Sequence, residues 1–200
     1  MTMNKILYIL PAATLIAAAI LLQPTHAADT ADTADTADTA DTHAALVARG
    51  DYIVNSFGCA DCHTPKKLGP NGPELIRERA FSGHMETDVL PPAPALPPGP
   101  WIATVSGDMT AWSGPWGTSF TANLTPDPET GLGKWTEETF LSTVRSGRHM
   151  GRGREILPPM PIEQLNHMTD DDLRAVFAYL QSLPPVKNRV PAPIAPPAAR

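Results

Sequence analysis

Apolar side chains run almost unbroken from Ile6 to Leu22, behind a positive charge at Lys5 and ahead of Thr25-His26-Ala27, which offers a small residue for cleavage. This arrangement predicts an export signal over residues 1–27. The apolar run is short for a membrane span and contains Pro11, so an uncleaved anchor is the alternative reading. The pattern then inverts. Residues 28–42 are Ala-Asp-Thr written five times, with no large apolar side chain and five carboxylates that repel one another. Nothing there offsets the entropy of ordering, and the expectation is a disordered tether.

Helical spacing of apolar positions begins at residue 43. Leu46, Ala48, Tyr52, Ile53, Val54 and Phe57 predict a first helix over 43–57. Gly50 inside it is either a tolerated defect or a place where a second helix comes close. From 66 to 123 the pattern is irregular. Prolines 91, 92, 94, 97, 98 and 100 exclude a helix or a central strand and predict a long loop. Trp101, Trp112, Trp116 and Phe120 follow among glycines and serines, and aromatics at that density are expected to pack on something, either an ordinary core or a flat ligand.

A helix is predicted from Thr136, with Thr136 as cap, Glu137 and Glu138 at the positive end of its dipole, Phe140, Leu141 and Val144 on one face, and Gly147 as its stop. Another starts at Thr169, has Asp172 three residues on, and carries the stripe Leu173, Val176, Phe177 and Leu180. It ends before Pro184-Pro185, leaving a proline-rich tail over 184–200. The expectation is an all-α domain over residues 43–183, three or more helices with long proline-rich loops.

Charge alters this picture little. The net charge is −6, but from residue 43 onward 14 Lys and Arg stand against 16 Asp and Glu, so most of the acidity belongs to the repeat. Nothing suggests nucleic-acid binding. The cysteine count matters more. There are two, Cys59 and Cys62, and they close almost no loop, so local chemistry explains them better than a structural disulfide.

Cys59-Ala60-Asp61-Cys62-His63 is the attachment pattern of c-type haem. Each thiol can add to one vinyl group of the porphyrin, and the adjacent imidazole is then placed to reach the iron. A structural zinc site would want a second ligand pair, which the chain lacks. A redox dithiol would want a βαβ context. A sixth ligand to iron can be sought among Met85, Met109, Met150, Met160 and Met168. Met160 is preferred because Leu157-Pro158-Pro159-Met160-Pro161 holds it among rigid prolines just ahead of the last helix. His84 and His149 are the alternative ligands.

In order, Gly58-Cys59-Ala60-Asp61-Cys62-His63-Thr64-Pro65, Asn123-Leu124-Thr125-Pro126-Asp127, Gly131-Leu132-Gly133-Lys134-Trp135-Thr136, Pro159-Met160-Pro161 and a last helix ending Tyr179-Leu180 resemble the class I c-type cytochromes. The likeness is to the single-haem bacterial periplasmic type and to cytochrome subunits of alcohol and aldehyde dehydrogenases. It implies a cytochrome c fold around one covalent haem c, with His63 and Met160 as axial pair. It further implies that Asn123 and Thr125 lie against the haem and that the first and last helices cross near Gly50 and Tyr179. Residues 68–120 form an insertion relative to a minimal member of that family.

The function expected is periplasmic electron transfer between a redox donor and acceptor, such as a membrane-bound dehydrogenase or a terminal oxidase, by a stand-alone carrier or a complex subunit. A small peroxidase and a gas-binding haem module are the alternatives. Arg145, Arg148, Arg152 and Arg154 form either a basic rim for an acidic partner or haem propionates, or a solvated surface.

Overall fold

The computed structural model describes residues 30–196, with side chains described from residue 42. The predicted signal lies outside the described residues. Among them, no helix is long and apolar enough to cross a membrane.

Three helices form the frame: α1 (Thr30–Ser56), α3 (Glu137–Ser146) and α5 (Asp170–Ser182), with single turns α2 (Cys59–His63) and α4 (Ile162–Leu165) between them. The caps are where local chemistry puts them. The Thr136 side chain accepts from the Thr139 amide and that of Thr169 from the Asp172 amide, satisfying N–H groups that a helix cannot pair internally. Helix α1 begins inside the Ala-Asp-Thr repeat, which was expected to be disordered. Alanine, the best helix former, recurs there at every third position, and the docked part of α1 supplies the nucleus from which helix propagates.

Two antiparallel sheets overturn the all-α expectation. Strands β1 (Lys66–Gly69) and β2 (Gly72–Leu75) make one hairpin; β3 (Thr104–Val105), β4 (Ala111–Gly114) and β5 (Gly117–Phe120) make a sheet in the order β3-β4-β5. Among the described residues the architecture is mixed, five α-helices with two small sheets. Strands of two to four residues are too short to display a period of two, which is why 66–123 reads as irregular. The β1–β2 and β4–β5 hairpins turn where glycine faces glycine, Gly69 opposite Gly72 and Gly114 opposite Gly117.

Helices α1 and α5 cross at Gly50, as the family resemblance implies. A Cβ there would stand 1.9 Å from the Ala175 carbonyl oxygen and 2.7 Å from Tyr179 Cβ, so the close-approach reading of Gly50 is the correct one. Arg49 donates to the Asp172 carboxylate at 2.8 Å across the same contact. Two apolar clusters flank the crossing, one of Val54, Phe81, Leu132 and Leu180, the other of Val144, Leu165 and Leu173.

The proline-rich segment after α5 is not a loose tail. Asn188 is fully buried, donates to the carbonyls of Ser82 (2.7 Å) and His84 (2.8 Å), and accepts from the Glu86 amide. Farther on, Ile194 exchanges two backbone hydrogen bonds with Thr118 of β5. Residues 184–194 are a strap laid along the domain.

Candidate functional site

A cavity of about 790 Å³ opens between the two apolar clusters. Its walls come from distant parts of the chain: Val54 from α1, Cys59, Cys62 and His63 from α2, Trp112, Ser119 and Phe120 from the β4–β5 hairpin, Met160 from the loop before α4, Leu173 and Leu180 from α5, and Arg189 and Pro191 from the strap. The insertion therefore reaches the site. The aromatics at 112 and 120 border the cavity, while Trp101 is 77% exposed, against the expectation that all of this aromatic run packs.

Helix α2 is entered through Gly58 at φ +66°, a left-handed position suited to glycine, and its single turn presents both thiols and His63 to the cavity. His63 is buried, and its Nδ1 lies 2.8 Å from the Ala122 carbonyl. A carbonyl only accepts, so Nδ1 carries the proton. Burial lowers the imidazole pKa, with the Ala122 contact opposing more weakly. The ring is therefore neutral, and its lone pair sits on Nε2, the tautomer a metal-ligating histidine adopts. Burial pushes both cysteine thiols up, at Cys59 against a backbone hydrogen bond and with help from Cys62 and Asp61, and at Cys62 opposed by Lys66. That is opposite to the depressed pKa of a redox-active dithiol, and the cysteines are unpaired.

Of the five candidate methionines, Met150, Met160 and Met168 border the cavity and Met85 and Met109 do not. Met150 is 46% exposed, whereas Met160 packs against the Val144–Leu165–Leu173 cluster. His149 also borders the cavity, its ring edge-on to Trp135 at 5.4 Å between centroids, and burial lowers its pKa, aided by Arg154. His84 is elsewhere, buried with Nδ1 against Thr110 Oγ1 and Nε2 against the Asp88 carbonyl.

Asn123 and Thr125 have different occupations. Asn123 Nδ2 donates to the Val186 and Asn188 carbonyls, at 2.8 and 3.3 Å, and its Oδ1 accepts from the Thr125 amide and hydroxyl. Thr125 Oγ1 in turn accepts from the Val186 amide at 3.1 Å. Asn123 borders the cavity and Thr125 does not, and the polar atoms of both side chains serve to anchor the strap. Among the arginines, Arg145 is held by Asp170 at 2.6 Å and Arg148 by Glu155 at 3.2 Å, while Arg154 borders the cavity with Lys134 and Arg189. Ser119, Asn188 and Arg189 escape sequence reading altogether, since their roles depend on partners far away in the chain and on no periodic signal.

No family model matches the chain. Over 149 residues it is 38% identical to a nicotinate dehydrogenase subunit of Pseudomonas putida, covering 74% of this chain and 10% of that protein. It is 27% identical over 150 residues to the cytochrome c subunit of the quinone alcohol dehydrogenase of Gluconobacter oxydans, covering 74% and 24%. It is 26% identical over 157 residues to the fructose dehydrogenase cytochrome subunit of Gluconobacter japonicus, covering 76% and 25%. The chain thus spans between a tenth and a quarter of the length of these relatives. The attachment pattern on α2, the neutral buried histidine beside it and this set of relatives agree, and the chain is a c-type cytochrome similar to the cytochrome c subunits of dehydrogenases.

Proposed function

We propose that this domain is a periplasmic electron carrier holding one haem c, joined to Cys59 and Cys62 and ligated by His63 and Met160. One observation carries the reading: both thiols, an imidazole with its lone pair on Nε2 and the proline-flanked Met160 all border a single cavity. Its volume of about 790 Å³ falls in the range of cofactor pockets, roughly 300–1,000 Å³. Neutral thiols suit the attachment, in which each S–H adds across a vinyl group, sulfur to one carbon and hydrogen to the other, with no net oxidation. When bound, the haem supplies one electron at a time as its iron alternates between ferrous and ferric.

The chain's own residues hold and tune that group. The Ala122 carbonyl fixes the His63 ring and raises its basicity as a ligand. Val54, Leu132, Leu173 and Leu180 keep water out, which disfavours the extra positive charge of the ferric state. Lys134, Arg154 and Arg189 bring positive charge to the border, suited to the two haem carboxylates. No side chain is required as acid, base or nucleophile. The relatives are named as subunits of nicotinate, alcohol and fructose dehydrogenases, which supports a dehydrogenase as donor; a second redox protein, such as a terminal oxidase, takes the electron onward. The signal-like residues 1–27 support export.

The test is spectroscopic. The purified protein is expected to carry one haem that stays attached on denaturation, to lose that attachment in Cys59→Ser with Cys62→Ser, and to show a ferric sulfur-to-iron charge-transfer band that Met160→Ala abolishes. A high-spin ferric haem that turns over peroxide would replace this reading with an enzymatic one.

A further inference from the structure

The stretch Leu157-Pro158-Pro159-Met160-Pro161 contains only two backbone N–H groups, because proline has none. It can brace itself through at most one turn bond of its own, from the Met160 amide. On its far side Met160 is tied to the start of α4, its carbonyl accepting from the Ile162 amide at 2.9 Å. On its near side the Met160 amide makes a long contact of 3.3 Å with the Leu157 carbonyl. A stronger hold comes from outside the loop. Ser119 Oγ donates to the Pro158 carbonyl at 2.6 Å, across 39 residues of chain. A hydroxyl has one proton to give, and the competing Trp112 carbonyl stands at 3.4 Å, so the proline is the preferred acceptor.

The element that carries Ser119 is well fixed. Ser119 is 8% exposed, lies on β5 opposite Trp112, and follows Thr118, which is bound by two backbone hydrogen bonds to Ile194 of the strap. Trp112 is pinned in turn by its indole N–H to the Met109 carbonyl at 3.1 Å. Both Ser119 and Met160 border the cavity.

We infer that Ser119 is a positioning residue for the sixth iron ligand: its hydroxyl anchors the methionine loop to the inserted sheet and thereby keeps Met160 closed over the cavity. This rests on Met160 being that ligand. It also gives the insertion a task, since a minimal domain without β4 and β5 lacks this anchor. The loss of one buried hydrogen bond corresponds to roughly a two- to tenfold rise in the population of the opened loop.

The experiment measures the rate at which imidazole enters the ferric holoprotein and the intensity of the sulfur-to-iron charge-transfer band. It compares wild type, Ser119→Ala, Ser119→Thr and Met160→Ala. Ser119→Ala is expected to keep its haem and raise the entry rate about two- to tenfold, with Ser119→Thr restoring the wild-type rate. Should Ser119→Ala not accumulate, Ser119→Val against Ser119→Thr gives the same comparison between side chains of equal shape, with only the threonine keeping the hydroxyl. An unchanged rate in Ser119→Ala or Ser119→Val, alongside fast entry in Met160→Ala, overturns the role of Ser119. So does a threonine variant no slower than alanine or valine. If Met160→Ala matches wild type in both band and rate, the ligand assignment itself is wrong, and the two failures are thereby told apart.

Discussion

At Gly50 the α5 backbone leaves no room for a methyl group. Two effects compete in Gly50→Ala. Alanine gains about 1 kcal/mol over glycine in a helix interior, whereas a Cβ 1.9 Å from the Ala175 carbonyl oxygen forces α1 and α5 apart. Overpacking costs about 1–3 kcal/mol and is felt most where the obstacle is backbone, which cannot rotate away. The crossing is expected to lose, with net destabilisation of up to about 2 kcal/mol in chemical denaturation. Measured stability equal to or above wild type would show that the helices slide at low cost. The sequence left Gly50 open between two readings, because a glycine in a helical pattern looks the same whether its face is empty or occupied.

The strap over 184–194 shows what local reading misses. Prolines announce the absence of N–H donors, so the segment reads as unable to join a fold, but the carbonyls of Val186, Asn188 and Ile194 and the Asn188 side chain are all hydrogen-bonded. Asn123 and Thr125 grip Val186, Asn188 reaches Ser82 and His84, and Ile194 pairs with Thr118. These contacts join residues 61 to 106 positions apart and leave no periodic trace. By contrast the caps at Thr136 and Thr169, the apolar stripes of α3 and α5 and the Cys59–His63 turn were legible, since each is written within a few residues. The same contrast explains why the sheets were missed, and why Met160 stands out among its prolines in the sequence while the Ser119 hydrogen bond to Pro158 does not. Removing the strap after Leu183 is expected to expose the cavity along Arg189 and Pro191 and to strip Asn123 of two acceptors. The truncated protein should retain its covalent haem, melt at lower temperature and show a lower reduction potential, because water stabilises the more charged ferric state. Potentiometric titration checks this; an unaltered potential would mean that the strap is only a brace.

Acid sensitivity is a property of the whole molecule, because the carboxylates that matter each brace a loop on which the fold depends, Asp108 through Ser106 and Thr110 and Asp127 through Glu129 and Thr130. At Asp108 partial burial pushes the carboxyl up, but hydrogen bonds from Ser106 and Thr110 outweigh it, and the pKa ends below its ordinary value. At Asp127 the hydroxyl and amide of Thr130 and the amide of Glu129 hold it down against a smaller effect of burial. In each case the unfolded chain takes up its proton at higher pH than the folded one, so stability rises with pH through that interval. The stabilisation is complete above the ordinary carboxylate range near pH 4 and is lost as pH falls through the lowered folded values. Neither carboxylate itself borders the cavity, although the loop that Asp127 braces does, through Glu129 and Thr130. Denaturation midpoints of the holoprotein between pH 7 and pH 3 are expected to fall steeply below about pH 4. Asp127→Asn should start from a lower midpoint at neutral pH, since its amide replaces a carboxylate that accepts three hydrogen bonds at 2.6–3.1 Å, and then decline less steeply. Parallel curves for wild type and Asp127→Asn would assign the acid transition to other groups, with the iron ligands the first to examine.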